Sequence, residues 1–144
     1  MVVCTDTSFL FSLYGNDINT PRALAWVGAH RAALVLSALN EYELANALRF
    51  AEFRKGIGPG EAALFWAQFE ADRASGRLRV HVCNLADVVD EAKRLSATHT
   101  LHRGHRGFDI LHVAAAIRFQ ANQFLTFDEN QKKLAEAEGL VVPI

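Results

Sequence analysis

Four acidic residues stand out by where they fall: Asp6, Glu43, Asp109 and Asp128. Asp6 follows the apolar run Val2–Thr5 and is itself followed by two hydroxyls, Thr7 and Ser8. Asp128 follows Phe124-Leu125-Thr126, another short run of strand type. Asp109 opens the apolar segment that begins at Phe108, and Glu43 lies early in the segment that starts at Ala38. Carboxylates gathered in one crevice repel one another, so some must protonate or cations must hold them. An all-oxygen set suits Mg²⁺ or Mn²⁺ and not zinc.

Each acid also has a structural reading. Asp6 and Asp128 are placed to cap helices, and Gln131 stands at the capping-box spacing from Asp128. Asn40 and Glu43 share that spacing. Asp109 suits the positive end of a helix. What favours a joint role is the set of elements that must position all four.

Those elements alternate. Strands are expected over Val2–Thr5, Ala33–Ser37, Leu78–Val82, Gln123–Thr126 and Leu140–Val142. Helices are expected from Phe9 to Leu13, Thr20 to His30, Ala38 to Arg54, Glu61 to Ser75, Ala86 to Thr98, Phe108 to Gln120 and Glu129 to Glu138. The strands are short and apolar without period-two alternation, the mark of a parallel sheet covered on both faces. The fold class is therefore α/β: a three-layer α/β/α sandwich around a mainly parallel sheet of about five short strands. In such a sheet every strand-to-helix turn lies at one edge, where these folds keep their sites. Glu43 borders the apolar stripe of Leu44, Ala47, Leu48 and Ala51. Glu41 lies about 200° away around the helix and is expected to face solvent.

The totals set limits. At 144 residues with a 51% hydrophobic share, the chain is read as one globular domain, residues 1–144. No apolar run reaches the ~18 residues of a membrane span, and no basic leader precedes the first apolar stretch, so a cytoplasmic location is expected. Cys4 and Cys83 lack metal-ligand spacing and read as reduced core thiols. Net charge is −1, but setting four carboxylates aside at bound cations leaves the rest weakly basic, which is compatible with a phosphate backbone as partner.

The four acids and their surroundings resemble a PIN domain, and more closely the VapC-type toxins, the ribonuclease halves of toxin–antitoxin pairs. The resemblance is carried by Asp6-Thr7-Ser8-Phe9-Leu10, by the run from Ser37 to Leu48 with Asn40-Glu41-Tyr42-Glu43 at its centre, by Phe108-Asp109-Ile110-Leu111-His112 with the alanines after it, and by Phe124-Leu125-Thr126-Phe127-Asp128. It spans the whole chain. It implies that Asp6, Glu43, Asp109 and Asp128 hold one or two Mg²⁺ or Mn²⁺ ions, with Thr126, and Thr7 or Ser8, in support. It also implies an RNA substrate of the transfer or ribosomal kind, a VapB-type antitoxin that buries the crevice, and a homodimer. Hydrolysis by this chemistry needs neither a 2′-hydroxyl nor a histidine base and leaves 5′-phosphate and 3′-hydroxyl ends.

Two alternatives frame the assignment. A catalytically silent PIN-like module that binds RNA or protein would lack one of the acids, and none is missing. A haloacid-dehalogenase-type phosphotransferase would need a second acid where Ser8 stands. Elsewhere, His99, His102 and His105 suggest a metal tract at first sight, but the glycines around them and the lack of helical register favour a solvated loop, or an RNA contact alongside Arg103 and Arg106, over a zinc site. His112 reads as a core histidine, with an ordering role near the acids as the alternative. Arg49, Arg54, Lys55, Arg73, Arg77 and Arg79 read as a solvated face or as phosphate contacts. Phe65, Trp66 and Phe69 read as core, dimer seam or antitoxin groove.

Overall fold

A computed structural model describes residues 1–144. Its sheet comprises β1 (Val3–Thr5), β2 (Leu34–Leu36), β3 (Leu78–Val80) and β4 (Gln123–Leu125) in the order β3-β2-β1-β4, all parallel. There are four strands where about five were expected. The fifth is reduced to one bridge, Val141 opposite Gln123. Pro143 has no N–H with which to continue a ladder there. The third strand also stops two residues early, which leaves Cys83 half-buried outside the sheet, while Cys4 is buried in β1. Burial pushes the Cys4 thiol up to about 12, so it stays protonated and inert.

Both faces of the sheet are covered because successive side chains point opposite ways. Val3, Leu34, Leu36, Leu78 and Leu125 pack against α1 (Thr7–Tyr14), α2 (Thr20–Ala29), α3 (Ala38–Phe53) and α4 (Glu61–Ala74). Cys4, Val35 and Phe124 pack against α5 (Leu85–Leu95), α7 (Gly107–Arg118) and α8 (Glu129–Ala137). Register sets this division: Val3 pairs with Leu34 and Gln123, and Cys4 with Val35 and Phe124. The three alanines Ala114–Ala116 are buried, which lets α7 approach the sheet closely.

α3 and α4 form the expected hairpin. Gly60 turns it at φ 80°, a left-handed conformation that glycine adopts without strain, and the Glu61 carboxylate accepts the Gly58 N–H at 2.6 Å. Phe69 is fully buried there, with Phe65 and Trp66 partly buried against the same core. The expected loop His99–Gly107 is a correction. The chain runs from α5 through a π-helical segment, Ser96–Thr100, into α6 (Leu101–Arg103), and only then leaves helix at Gly104. Two contacts hold this extension. His99 Nε2 lies 2.6 Å from Glu138, and His105 is buried against Asn130. No helix is long and apolar enough to cross a membrane.

Candidate active site

The carboxyl edge of the sheet opens into a crevice of about 760 Å³. Asp6, Glu43, Asp109 and Asp128 all line it, as do Ser8, Arg106, Phe108 and Gln131. Asp6, Asp109 and Asp128 arrive there by local rules of helix initiation. Asp6 caps α1 by accepting the Phe9 N–H at 2.9 Å, and Asp128 caps α8 by accepting the Gln131 N–H at 2.8 Å. Asp109 lies in the first turn of α7. Glu43 is one turn further into α3, whose start is fixed by a box between Ser37 and Asn40. The expected Asn40–Glu43 box does not form, because the Asn40 oxygen reaches back to the Ser37 N–H at 2.9 Å. Thus the capping and site readings are compatible for Asp6 and Asp128.

Asp6 is the most constrained acid, only 2% exposed. Ser8 donates to it at 2.8 Å and Thr126 at 2.6 Å. Both hydroxyls are aimed by the backbone. Ser8 accepts the Phe127 N–H at 3.1 Å and Thr126 accepts the Asp128 N–H at 3.0 Å, so each points its own proton at Asp6. Burial still outweighs these donors and raises the carboxyl pKa to about 6. A buried carboxylate held this way is short of positive charge.

Glu43 meets a second buried network. His112 is 2% exposed, and its Nε2 lies 3.0 Å from Glu43 Oε1 and 3.3 Å from the Thr7 hydroxyl. Its Nδ1 faces the Asn40 amide nitrogen at 3.2 Å, and that nitrogen also donates to the Thr5 carbonyl at 3.1 Å. The Asn40 orientation is fixed by its oxygen, so Nδ1 accepts and the ring proton sits on Nε2, donated to Glu43. Burial alone would raise the Glu43 pKa. The donors His112 and Thr7, with the charges of His112 and Arg106, more than offset it and hold Glu43 below the usual carboxylate range. Glu41, expected in solvent, is instead half-buried and pairs with Arg73 of α4 at 3.0 Å. That contact turns it into the helical hairpin and leaves Glu43 as the α3 acid at the crevice.

Asp109 and Asp128 share a cation. The Arg106 Nε lies 3.0 Å from Asp109 and its Nη2 3.5 Å from Asp128. The arginine side chain is 77% exposed, so it spans the acids from the solvent side. The donor set is all oxygen, which suits a hard divalent cation. Two further observations fit one: the buried Asp6 carboxylate, and the Gln131 Oε1, which is buried beside the acids without a partner. As they stand, no three acidic, histidine or cysteine side chains are gathered tightly enough to clasp an ion. Each acid is held by a protein donor, and a cation would draw Asp109 and Asp128 away from Arg106.

The family model of the PIN domain matches residues 3–137. The chain belongs to the PIN domain family. Solved structures with the same fold include Mycobacterium tuberculosis VapC20, a sarcin–ricin-loop-cleaving toxin, at TM-score 0.71 and 21% identity over 96% of both chains. PAE2754 from Pyrobaculum aerophilum aligns at TM-score 0.63 and 22% identity over 99% of this chain and 90% of its own. FitAcB from Neisseria gonorrhoeae aligns at 0.66 and 16% over 98% and 96%. No curated protein matches in sequence. These identities establish the fold of a PIN domain and leave its chemistry to the residues of this chain.

Three residues of the site have roles that the sequence reading did not assign to them. Asn40 looked like a cap, and its burial between β1 and α7 depends on a contact across 72 positions. Arg106 lay in an apparent loop. Asp17, which lines the crevice and accepts from Ser12 at 2.8 Å, lay in an apparent turn. One signal was available for Asp17: Ser8 and Ser12 are four apart, a polar line on an otherwise apolar helix.

Proposed function

We propose that the protein is a metal-dependent endoribonuclease, the toxin of a VapC-type toxin–antitoxin pair. The observation that carries this is the convergence of Asp6, Glu43, Asp109 and Asp128 on one crevice at the carboxyl edge of a PIN-domain sheet. These four acids would hold Mg²⁺ or Mn²⁺. When bound, the ion supplies Lewis-acid charge at the phosphate and lowers the pKa of the attacking water. The protein's own side chains have defined tasks. Ser8 and Thr126 hold the Asp6 carboxylate in one orientation and satisfy its inner lone pairs. His112 fixes the rotamer of Glu43 through Nε2–H. Both ring nitrogens of His112 are engaged and the ring is buried, so it is not placed to take a proton from water. Arg106, now paired with Asp109 and Asp128, would give up those contacts to a bound cation and would then be available to the RNA phosphate.

An RNA loop of the transfer or ribosomal kind is the proposed substrate. A VapB-type antitoxin that covers the acidic crevice and a homodimer are the proposed assemblies, carried over from the family resemblance. The test is cleavage of total cellular RNA by the purified protein in Mg²⁺ or Mn²⁺. Discrete fragments with 5′-phosphate ends, lost with chelator and in Asp6→Asn, are the expected result. Cyclic 2′,3′-phosphate ends would refute the mechanism. Absence of cleavage by folded, antitoxin-free protein would favour a binding module, in which Arg106 remains between Asp109 and Asp128.

A further inference from the structure

Beside the crevice stand two aromatic rings that the core does not use. Tyr42 is 64% exposed and Phe108 is 37% exposed. Their centroids are 6.4 Å apart with planes inclined at 33°. Neither belongs to the two apolar clusters that cover the sheet. Each adjoins a candidate metal ligand in the chain, Tyr42 before Glu43 and Phe108 before Asp109. Phe108 forms part of the crevice wall and is braced from within by His112, 6.0 Å away between centroids. Its contact with Tyr42 therefore sits at the rim.

We propose that Tyr42 and Phe108 form a stacking platform for an unpaired nucleobase next to the phosphate held at the crevice. The identity of the nucleic acid rests on the ribonuclease reading. The platform itself rests on the rings. Aromatic side chains bind bases by their faces, and a duplex offers none because its bases already stack on each other. The charges nearby suit a phosphate chain more than a protein partner. Arg106 lies across the crevice mouth. Arg49 is exposed seven residues after Tyr42, on the same side of α3 about 10 Å further along. At Phe127, which also lines the crevice, the exposed Arg22 lies over the ring, 5.1 Å from its centroid.

The test uses the full chain carrying Asp6→Asn, so that RNA is bound and not cut. Short single-stranded oligoribonucleotides containing a fluorescent purine analogue are titrated beside duplexes of the same sequence. Binding of the single strands with quenching of the analogue is expected. Adding Tyr42→Ala or Phe108→Ala should weaken it by about ten- to a hundredfold and remove the quenching, while Tyr42→Phe retains both. In the chain with Asp6 intact, the same alanine changes should raise KM with kcat nearly unchanged. Unaltered RNA affinity in the alanine variants overturns the platform, and a shift in oligomeric state alongside it would assign the rings to a protein contact. Cleavage with unaltered KM in those variants removes the platform and leaves the ribonuclease. Quenched binding by a chain that never cleaves RNA keeps the platform and removes the ribonuclease.

Discussion

The two ends of the sheet carry cavities of similar size and opposite chemistry. The carboxyl end opens into about 760 Å³ lined by Asp6, Asp17, Glu43, Asp109 and Asp128. The amino end opens into about 670 Å³ lined by Trp26, His30, Arg31, Arg77 and Arg79, with Asp72 the one acid. Size does not separate them, but helix polarity explains much of the contrast. In a parallel α/β fold the positive helix ends gather at the carboxyl edge, where they favour anions, and the negative ends gather at the other. Asp6 and Asp128 answer the first field as caps. His30, just past α2, and the arginines at the other end answer the second. What polarity leaves unexplained is the surplus. Glu43 caps nothing, and Asp6 is buried so deeply that its charge is costly.

That surplus gives the largest expected effect. Asp6→Asn or Glu43→Gln should lower RNA cleavage by about a thousandfold or more, whereas Asp72→Asn at the amino end should leave it unchanged. Equal losses at both ends would abolish the distinction. Initial-rate measurements on one defined RNA decide it.

The same Asp6 substitution should have the opposite sign on stability. In metal-free protein the carboxyl titrates at about 6 folded against 3.8 for the unpaired group. A raised folded pKa contributes stability that is complete below 3.8 and disappears as pH rises through 6. Near pH 7 the wild type therefore carries a cost on the order of 3 kcal/mol that Asp6→Asn lacks. The variant should be the more stable at pH 7 and no more stable below pH 4, with the gap closing as Mg²⁺ is added. Denaturant melts of both chains across this range test it. A wild type that is the more stable at pH 7 without metal would refute the buried-charge account.

Next in size come the side chains that hold the acids. Thr126→Val removes the 2.6 Å donor to Asp6, and His112→Phe removes the donor to Glu43. Groups that orient metal-binding side chains are worth about 10- to 100-fold in affinity or activity. Mn²⁺ titration should show that loss for both, with His112→Gln, which keeps a donor, intermediate. Loss of activity with unchanged Mn²⁺ affinity would assign His112 to folding alone.

Much of this was legible in the sequence because it follows local rules. The alternation of short apolar runs with helices gives the layered architecture, and a cap after a strand places Asp6 and Asp128 at one edge. The choice of Glu43 over Glu41 followed from helical phase, though Glu41 turned out to pair with Arg73 instead of facing water. What stayed hidden depends on distant pairing. Asn40 and His112 meet only when α3 and α7 flank β1. His99 reaches Glu138 only because the helix after Ser96 continues in π geometry, so a glycine- and histidine-rich stretch looked like loop. The fifth strand failed for a reason present in the sequence but easily passed over, the proline that follows Val142.

The smallest effect concerns Arg106, the cation that makes the carboxyl end look satisfied without metal. Its side chain is largely exposed, so its contacts with Asp109 and Asp128 are screened by solvent and worth at most about 1 kcal/mol. Arg106→Gln should therefore leave the melting temperature nearly unchanged. It should also tighten Mn²⁺ binding up to about fivefold, because no resident cation has to be displaced. RNA affinity should move the other way if, as proposed, a guanidinium released by the metal turns to the phosphate. Opposite shifts in Mn²⁺ and RNA binding from one substitution would show that a single side chain exchanges between the two partners. If both weakened together, Arg106 would instead be holding the acids in place, and the carboxyl end would depend on that arginine for its shape.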